Sequence, residues 1–226
     1  GTEEARLIHL AAVYGVDTPK PAVVIDIGGG SVEMTHGSGN RVDAARSFKL
    51  GVIRLTERFV DSDPISNRDE RKMVKFIREE VDRYLEHIVE AGFDRVIGTS
   101  GTIQSLGTVA AAMETGVIPQ EVRNLRVTAK SLRRLRKMAV DMELEERLRL
   151  PGLDPRRADI MVAGAVLLDT LLKSLDASDI TLCDLALREG VLIDYIQRHH
   201  RHMARGESYP DVRRRSVSER AERCAW

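Results

Sequence analysis

Apolar residues recur along this chain with two periods, and the switches between them divide it into elements. From Glu3 to Val13, Leu7, Leu10 and Ala11 form one apolar stripe, which predicts a helix. Pro19 and Pro21 end that pattern before Ala22-Val23-Val24-Ile25, a β-branched run that predicts a buried strand. Beyond Asp26-Ile27-Gly28-Gly29-Gly30, the alternation in Ser31-Val32-Glu33-Met34 predicts a second strand. Gly37 to Asn40 reads as a turn and Arg41 to Leu50 as a third strand. No helix pattern follows the glycines directly.

Helical periods then dominate. Val52 to Val60 predicts a short helix. Asn67 to Ala91 predicts a long one, with Met73, Phe76/Ile77, Val81, Tyr84/Leu85 and Ile88 on one face and Gly92 as its stop. Asp94 to Ile97 reads as a short strand running into Gly98-Thr99-Ser100-Gly101-Thr102, and a helix continues to about Met113. A small strand at Leu125 to Val127 precedes helices from Ser131 to about Leu150. Pro151 and Pro155 come before an apolar helix from Arg157 to Leu175; Ile180 to Cys183 is the last strand, and Leu187 to about His202 the last helix. Three strands followed by alternating helices and strands predict a mixed α/β sheet layered with helices.

Composition narrows the function classes. Lys+Arg and Asp+Glu are 35 each, which excludes a generic nucleic-acid binder with its basic excess. With 42% hydrophobic and 31% charged residues, the 226-residue chain is an ordinary globular one. Cys183 and Cys224 are too few for a disulfide scaffold, and Ile160 to Leu168 is too short to cross a bilayer. These features predict a soluble cytoplasmic protein without a membrane partner. The start at Gly1 without Met suggests a piece of a longer one. The zero sum hides local imbalance: eleven basic and five acidic residues lie between Arg123 and Arg157, against six and nine between Asp61 and Glu90. The basic stretch 123–157 could offer subsites to a polyanion.

The sharpest candidate chemistry is Asp26-Ile27-Gly28-Gly29-Gly30-Ser31. Successive glycines let backbone N–H groups approach and cradle an anion. Asp26 beside such a loop would repel phosphate directly but is well placed to hold a hydrated Mg²⁺ that bridges to it. Glu33 adds a second carboxylate for metal binding or for positioning water. The motif is not a dinucleotide fingerprint, which must open a helix, nor a Walker loop, which needs a Gly-Lys-Ser/Thr ending. Gly98, Thr99, Ser100 and Gly101 form a second candidate loop at a predicted helix N-terminus, with Ser100 or Thr102 as caps. His199, His200 and His202 read as solvated surface, since no ligand cluster accompanies them.

Six segments in order resemble the exopolyphosphatase/guanosine pentaphosphate phosphohydrolase (Ppx/GppA) family, within the sugar kinase, Hsp70 and actin superfamily. They are Gly1 to Ile8, Val24 to Glu33, Ser47 to Val52, Ile97 to Thr102, Arg157 to Ile160 and Leu187 to Leu192. The resemblance implies a ribonuclease H-like (actin-like ATPase) lobe, a mixed five-stranded sheet with helices on both faces. It implies Mg²⁺ as cofactor and inorganic polyphosphate or guanosine pentaphosphate as substrate, with release of a terminal phosphate. Glu4 matches the catalytic base, and Asp26 and Glu33 match acidic residues tied to metal and water. Gly28, Gly29, Gly30 and Ser31 match the phosphate cradle, and Gly98 to Gly101 the nucleoside-side loop.

The phosphate loop of a first lobe is not found in the chain. The expectation is therefore that 1–20 are the end of that lobe and an inter-lobe helix, 21–204 the second lobe, and 205–226 a linker and the stub of a helical C-terminal domain. Such a piece, lacking its first lobe and C-terminal domain, is expected to be inactive alone; a homodimer of the full-length parent is compatible with it. An ATP-using kinase or ATPase of the superfamily, and a non-enzymatic lobe that binds alarmones or polyphosphate, remain open as alternatives.

Overall fold

The computed structural model describes residues 1–203 other than Asp17 and Pro19, with side chains through His199. The expected stub at 205–226, with Cys224, and the side chains of His200 and His202 lie outside the described residues. In chain order the elements are α1 (Thr2–Gly15), β1 (Ala22–Ile27), β2 (Val32–Ser38), β3 (Arg41–Phe48), α2 (Val52–Phe59) and α3 (Asn67–Ala91). There follow β4 (Arg95–Thr99), α4 (Ser100–Thr115), β5 (Arg126–Thr128), α5 (Ala129–Ala139), α6 (Leu144–Arg147), α7 (Met161–Ser174), β6 (Asp179–Leu182) and α8 (Leu187–Met203).

The strands form one sheet in the order β3-β2-β1-β4-β6-β5. β1, β2 and β3 are antiparallel neighbours, β1, β4 and β6 run parallel, and β5 returns antiparallel to β6. The sheet therefore has six strands rather than the expected five. The five came from the family resemblance; the small strand that the pattern placed at Leu125 to Val127 is β5, whose three residues pair Arg126↔Thr181, Val127↔Ile180 and Thr128↔Asp179 and cover the open edge of β6.

The apolar run of β1 is buried on both faces, as a central parallel strand requires. Val23, Ile25 and Ile27 join the large core with α2, α3, α4, α5 and α7. Ala22 and Val24 face the other way, against Ile8 and Ala12 of α1. Helices thus cover both faces, as expected. By the same alternation Asp26 lies on the α1 face, which decides its company in the site.

Local signals explain most boundaries. Ser66 caps α3, its hydroxyl accepting the Asp69 amide at 3.1 Å, and Gly92 ends it with φ 78°. Met73, Ile77, Val81, Leu85 and Ile88 are its buried stripe. The helix predicted from Arg157 begins only at Met161. Asp154 instead caps a 3-10 turn at Pro155–Arg157, its carboxylate accepting the Arg156 amide at 3.2 Å. The predicted loop after β4 is not a loop: Thr99 ends the strand and Ser100 opens α4, the reversal taken up by Ser100 at φ 83°. No helix among the described residues is long and apolar enough to cross a membrane.

Candidate functional site

The parallel strands β1, β4 and β6 end at one edge of the sheet, where open α/β sheets bind ligands. Residues 28–31 close the β1–β2 hairpin at that edge, with Asp26 opposite Glu33 and beside Thr99 of β4. The Gly28 amide donates to the Ser31 carbonyl at 2.9 Å. The hairpin carbonyls point to the start of α2: the Val52 amide donates to Gly28 and the Ile53 amide to Gly29, each at 3.0 Å. Arg54 Nε donates to the Gly30 carbonyl at 2.9 Å. Among the described residues the amides of Gly29, Gly30 and Ser31 have no acceptor, so they remain as donors for an anion. The N-terminus of α2 is thereby used up in holding the hairpin still.

This clamp depends on Gly51, which lies within the Ser47 to Val52 segment but carries no local sign of a site residue. A Cβ there would collide with the Gly29 carbonyl and the Gly30 carbonyl carbon. At Gly30 a Cβ would sit 3.9 Å from Arg54 Nε, in ordinary contact, and at Gly28 3.3 Å from the Ser31 oxygen. The tightest backbone approach of the site therefore involves a glycine outside the triplet.

The three expected carboxylates lie at this edge, Asp26 and Glu33 as a cross-strand pair and Glu4 within reach of their charge. Glu33 is 4% exposed, and its Oε1 accepts a hydrogen bond from Ser47 Oγ at 2.7 Å. Glu4 stands in the first turn of α1, its side chain 43% exposed and its Oε2 accepting from the Gly1 amino group at 2.9 Å. The Asp26 carboxyl has no hydrogen bond or ion pair among the described residues. Burial, then the charges of Glu33 and Glu4, push its carboxyl from 3.8 to about 7. An acid in that condition is short of a cation, and two facing carboxylates are oxygen donors suited to a hard divalent ion. Among the described residues no group of three or more His, Cys, Asp or Glu is placed to hold a metal ion.

The second candidate loop divides. Gly98 is a packing residue: a Cβ there would lie 2.5 Å from Ile180 Cδ1 and 2.6 Å from Ile103 Cγ2. Thr99 is fully buried, and its hydroxyl donates to the Leu185 carbonyl at 2.8 Å. Ser100 Oγ accepts the Ile103 amide only at a long 3.4 Å, and Thr102 is not the cap. Gly101 lies beneath the Arg157 guanidinium, which a side chain there would have to displace. Arg157 brings a cation to the start of α4, where the dipole itself favours an anion. Its only sequence signal is its place at the start of Arg157 to Ile160, one of the segments that resemble the family.

The basic stretch behaves otherwise than its charge count suggested. Arg123 pairs with Asp184, Arg126 with Asp179, Arg133 and Arg136 with Asp169, Arg147 with Asp63, and Arg156 with Asp154. Its arginines mostly tie elements together and do not line a free subsite. His199 is likewise engaged, with the Tyr195 carbonyl at 2.8 Å from Nδ1 and its ring stacked on Tyr195.

Residues 1–199 match the Ppx/GppA phosphatase family. A protein of Photobacterium profundum named guanosine-5′-triphosphate,3′-diphosphate pyrophosphatase is 27% identical over 223 residues; these are 99% of this chain and 42% of that protein. Exopolyphosphatase 1 of Mycobacterium leprae is 30% identical over 195 residues, 85% of this chain and 57% of that one. An exopolyphosphatase structure from Cytophaga hutchinsonii superposes with a TM-score of 0.79 at 30% identity, covering 87% of this chain and 64% of that chain. The chain spans about half the length of the two curated relatives. With its actin-like α/β sheet and a match over almost all the described residues, the chain belongs to the Ppx/GppA phosphatase family.

Proposed function

We propose that this chain supplies the phosphate-gripping lobe of a Mg²⁺-dependent phosphohydrolase. The substrate is inorganic polyphosphate or guanosine pentaphosphate, which lose a terminal phosphate and the 5′-terminal phosphate respectively. One observation carries the reading: a hairpin whose carbonyls are engaged and whose Gly29, Gly30 and Ser31 amides are not, beside a half-buried Asp26 whose carboxyl has no partner among the described residues. We place the opposing lobe in the further length that the relatives have.

Hydrolysis of a phosphoanhydride needs positioning and charge neutralisation more than covalent chemistry. The three amides donate to oxygens of the terminal phosphate. Ser47 holds the Glu33 carboxylate in place. Glu4, on α1 at the same edge, accepts a proton from water as the water oxygen bonds to phosphorus and the bridging P–O bond breaks. Orthophosphate and the shortened chain are the products. Asp26 and Glu33 would hold Mg²⁺, which would supply neutralising charge.

The test is phosphate release with Mg²⁺ by the protein at the length of its relatives, offering both substrates in parallel. Glu4→Gln is expected to lower turnover at least about 100-fold, the scale of general-base catalysis. Turnover within twofold of the parent rejects Glu4 as the base.

A further inference from the structure

We propose that the cleft between β3, α2 and α3 is a second anion site, continuous with the glycine hairpin, that holds the uncleaved stretch of a linear polyphosphate. The proposal rests on the hydrolase reading above and assigns it an extended phosphate chain as substrate. The cleft measures about 610 Å³, within the range of sites for small ligands and well beyond a single phosphate. Arg46, Lys49, Arg54 and Arg58 line it, against the carboxylates of Glu57 and Glu80.

Three features make this more than an ordinary charged surface. First, none of the four cations makes an ion pair among the described residues, although the arginines of 123–157 mostly do. Second, two guanidiniums are held in place by rings. Arg58 Cζ lies 4.0 Å from the Phe76 centroid and 5.3 Å from that of Phe59; Arg46 Cζ lies 4.8 Å from Phe48 and 5.9 Å from Tyr84. Stacking uses the face of the guanidinium and leaves its N–H edge free for phosphate oxygens. Third, the cleft touches the hairpin. Arg54 donates to the Gly30 carbonyl, and Ser47, in the cleft wall, donates to Glu33.

The geometry favours a chain without a base. Phe48 and Phe76, the aromatic rings in the wall, already carry guanidiniums. Arg54 and Arg58 stand one helical turn apart on α2, so successive phosphates can meet successive cations. A terminal phosphate on the hairpin amides would thus trail its neighbours past Arg54.

The test measures binding of long-chain polyphosphate and of tripolyphosphate to the 226-residue chain at fixed ionic strength. Arg46→Gln with Arg58→Gln is expected to weaken long-chain binding about tenfold or more. It should also flatten its salt dependence while leaving tripolyphosphate unchanged. Arg46→Lys with Arg58→Lys keeps the charge but loses the stacked N–H edge, so its affinity should lie between wild type and the glutamine pair. Lys49→Gln, whose side chain makes no ring contact, gives the same reading if the glutamine pair fails to fold. Long-chain affinity equal to wild type, an equal loss for tripolyphosphate, or equally tight binding of polyglutamate would each overturn the proposal. So would a guanosine nucleotide that binds more tightly than polyphosphate and is lost in the same variant. Gly30→Asp tests the hairpin separately: if tripolyphosphate binding survives it, the hydrolase reading fails on its own account.

Discussion

Asp26 illustrates what burial does to a single carboxyl. Its native value of about 7 lies above its ordinary 3.8, so the folded protein binds more protons than the unfolded chain between those limits. Stability should therefore fall as pH rises from about 4 to about 7 and then level off. The full shift corresponds to about 4 kcal/mol as an upper bound. In metal-free buffer, Asp26→Asn is expected to raise the urea midpoint at pH 8 and leave it unchanged at pH 4. A wild-type stability that is flat across this window would refute the burial argument. The same variant should lose phosphate release, since the residue that strains the fold is the one placed to meet the cation. Asp26 stood out in the sequence beside its glycines. Its protonation did not, because that depends on Glu33, brought opposite by hairpin register, and on Glu4, brought near by the packing of α1.

Elements add a second layer, in which the hairpin and the start of α2 work as one part. Gly51→Ala is expected to cost about 2 kcal/mol or more, because its Cβ meets backbone atoms that have nowhere to move. Gly30→Ala, facing a flexible arginine at 3.9 Å, should change stability by less than about 0.5 kcal/mol. Urea unfolding of both variants, together with ³¹P detection of phosphate binding, checks the contrast. The reverse order would return the structural role to the triplet. Periodicity alone located β1, β2, α2 and α3, since strand and helix patterns are local. It misjudged Gly98, whose reason for being glycine is Ile180, a residue far along the chain on a neighbouring strand. It also read a loop where Ser100 turns strand directly into helix, and it placed the start of α7 too early.

Across the whole molecule, charge is organised by contact rather than by segment. Asp169, buried in α7, accepts from Arg136 at 2.6 Å and pairs with Arg133 and Lys173, while Arg136 also reaches Glu70 of α3. Burial would raise the Asp169 carboxyl, but the hydrogen bonds from Lys173 and Arg136 hold it below its ordinary value. Asp169→Asn is expected to cost about 3–5 kcal/mol, as for a broken buried pair. Asp184→Asn, which frees the exposed Arg123, should cost about 1 kcal/mol or less. Thermal unfolding of the two variants compares them directly. By itself the sequence determined the α/β class, the strand and helix order, the glycine hairpin and the identity of the carboxylates, because these follow from local periodicity, turn chemistry and residue type. Tertiary structure decided the order of the strands in the sheet, the role of Gly51, the raised acid at Asp26 and which cations stay unpaired. Each of those depends on groups distant in sequence meeting at one place, and burial and Coulomb interaction act through distance in space.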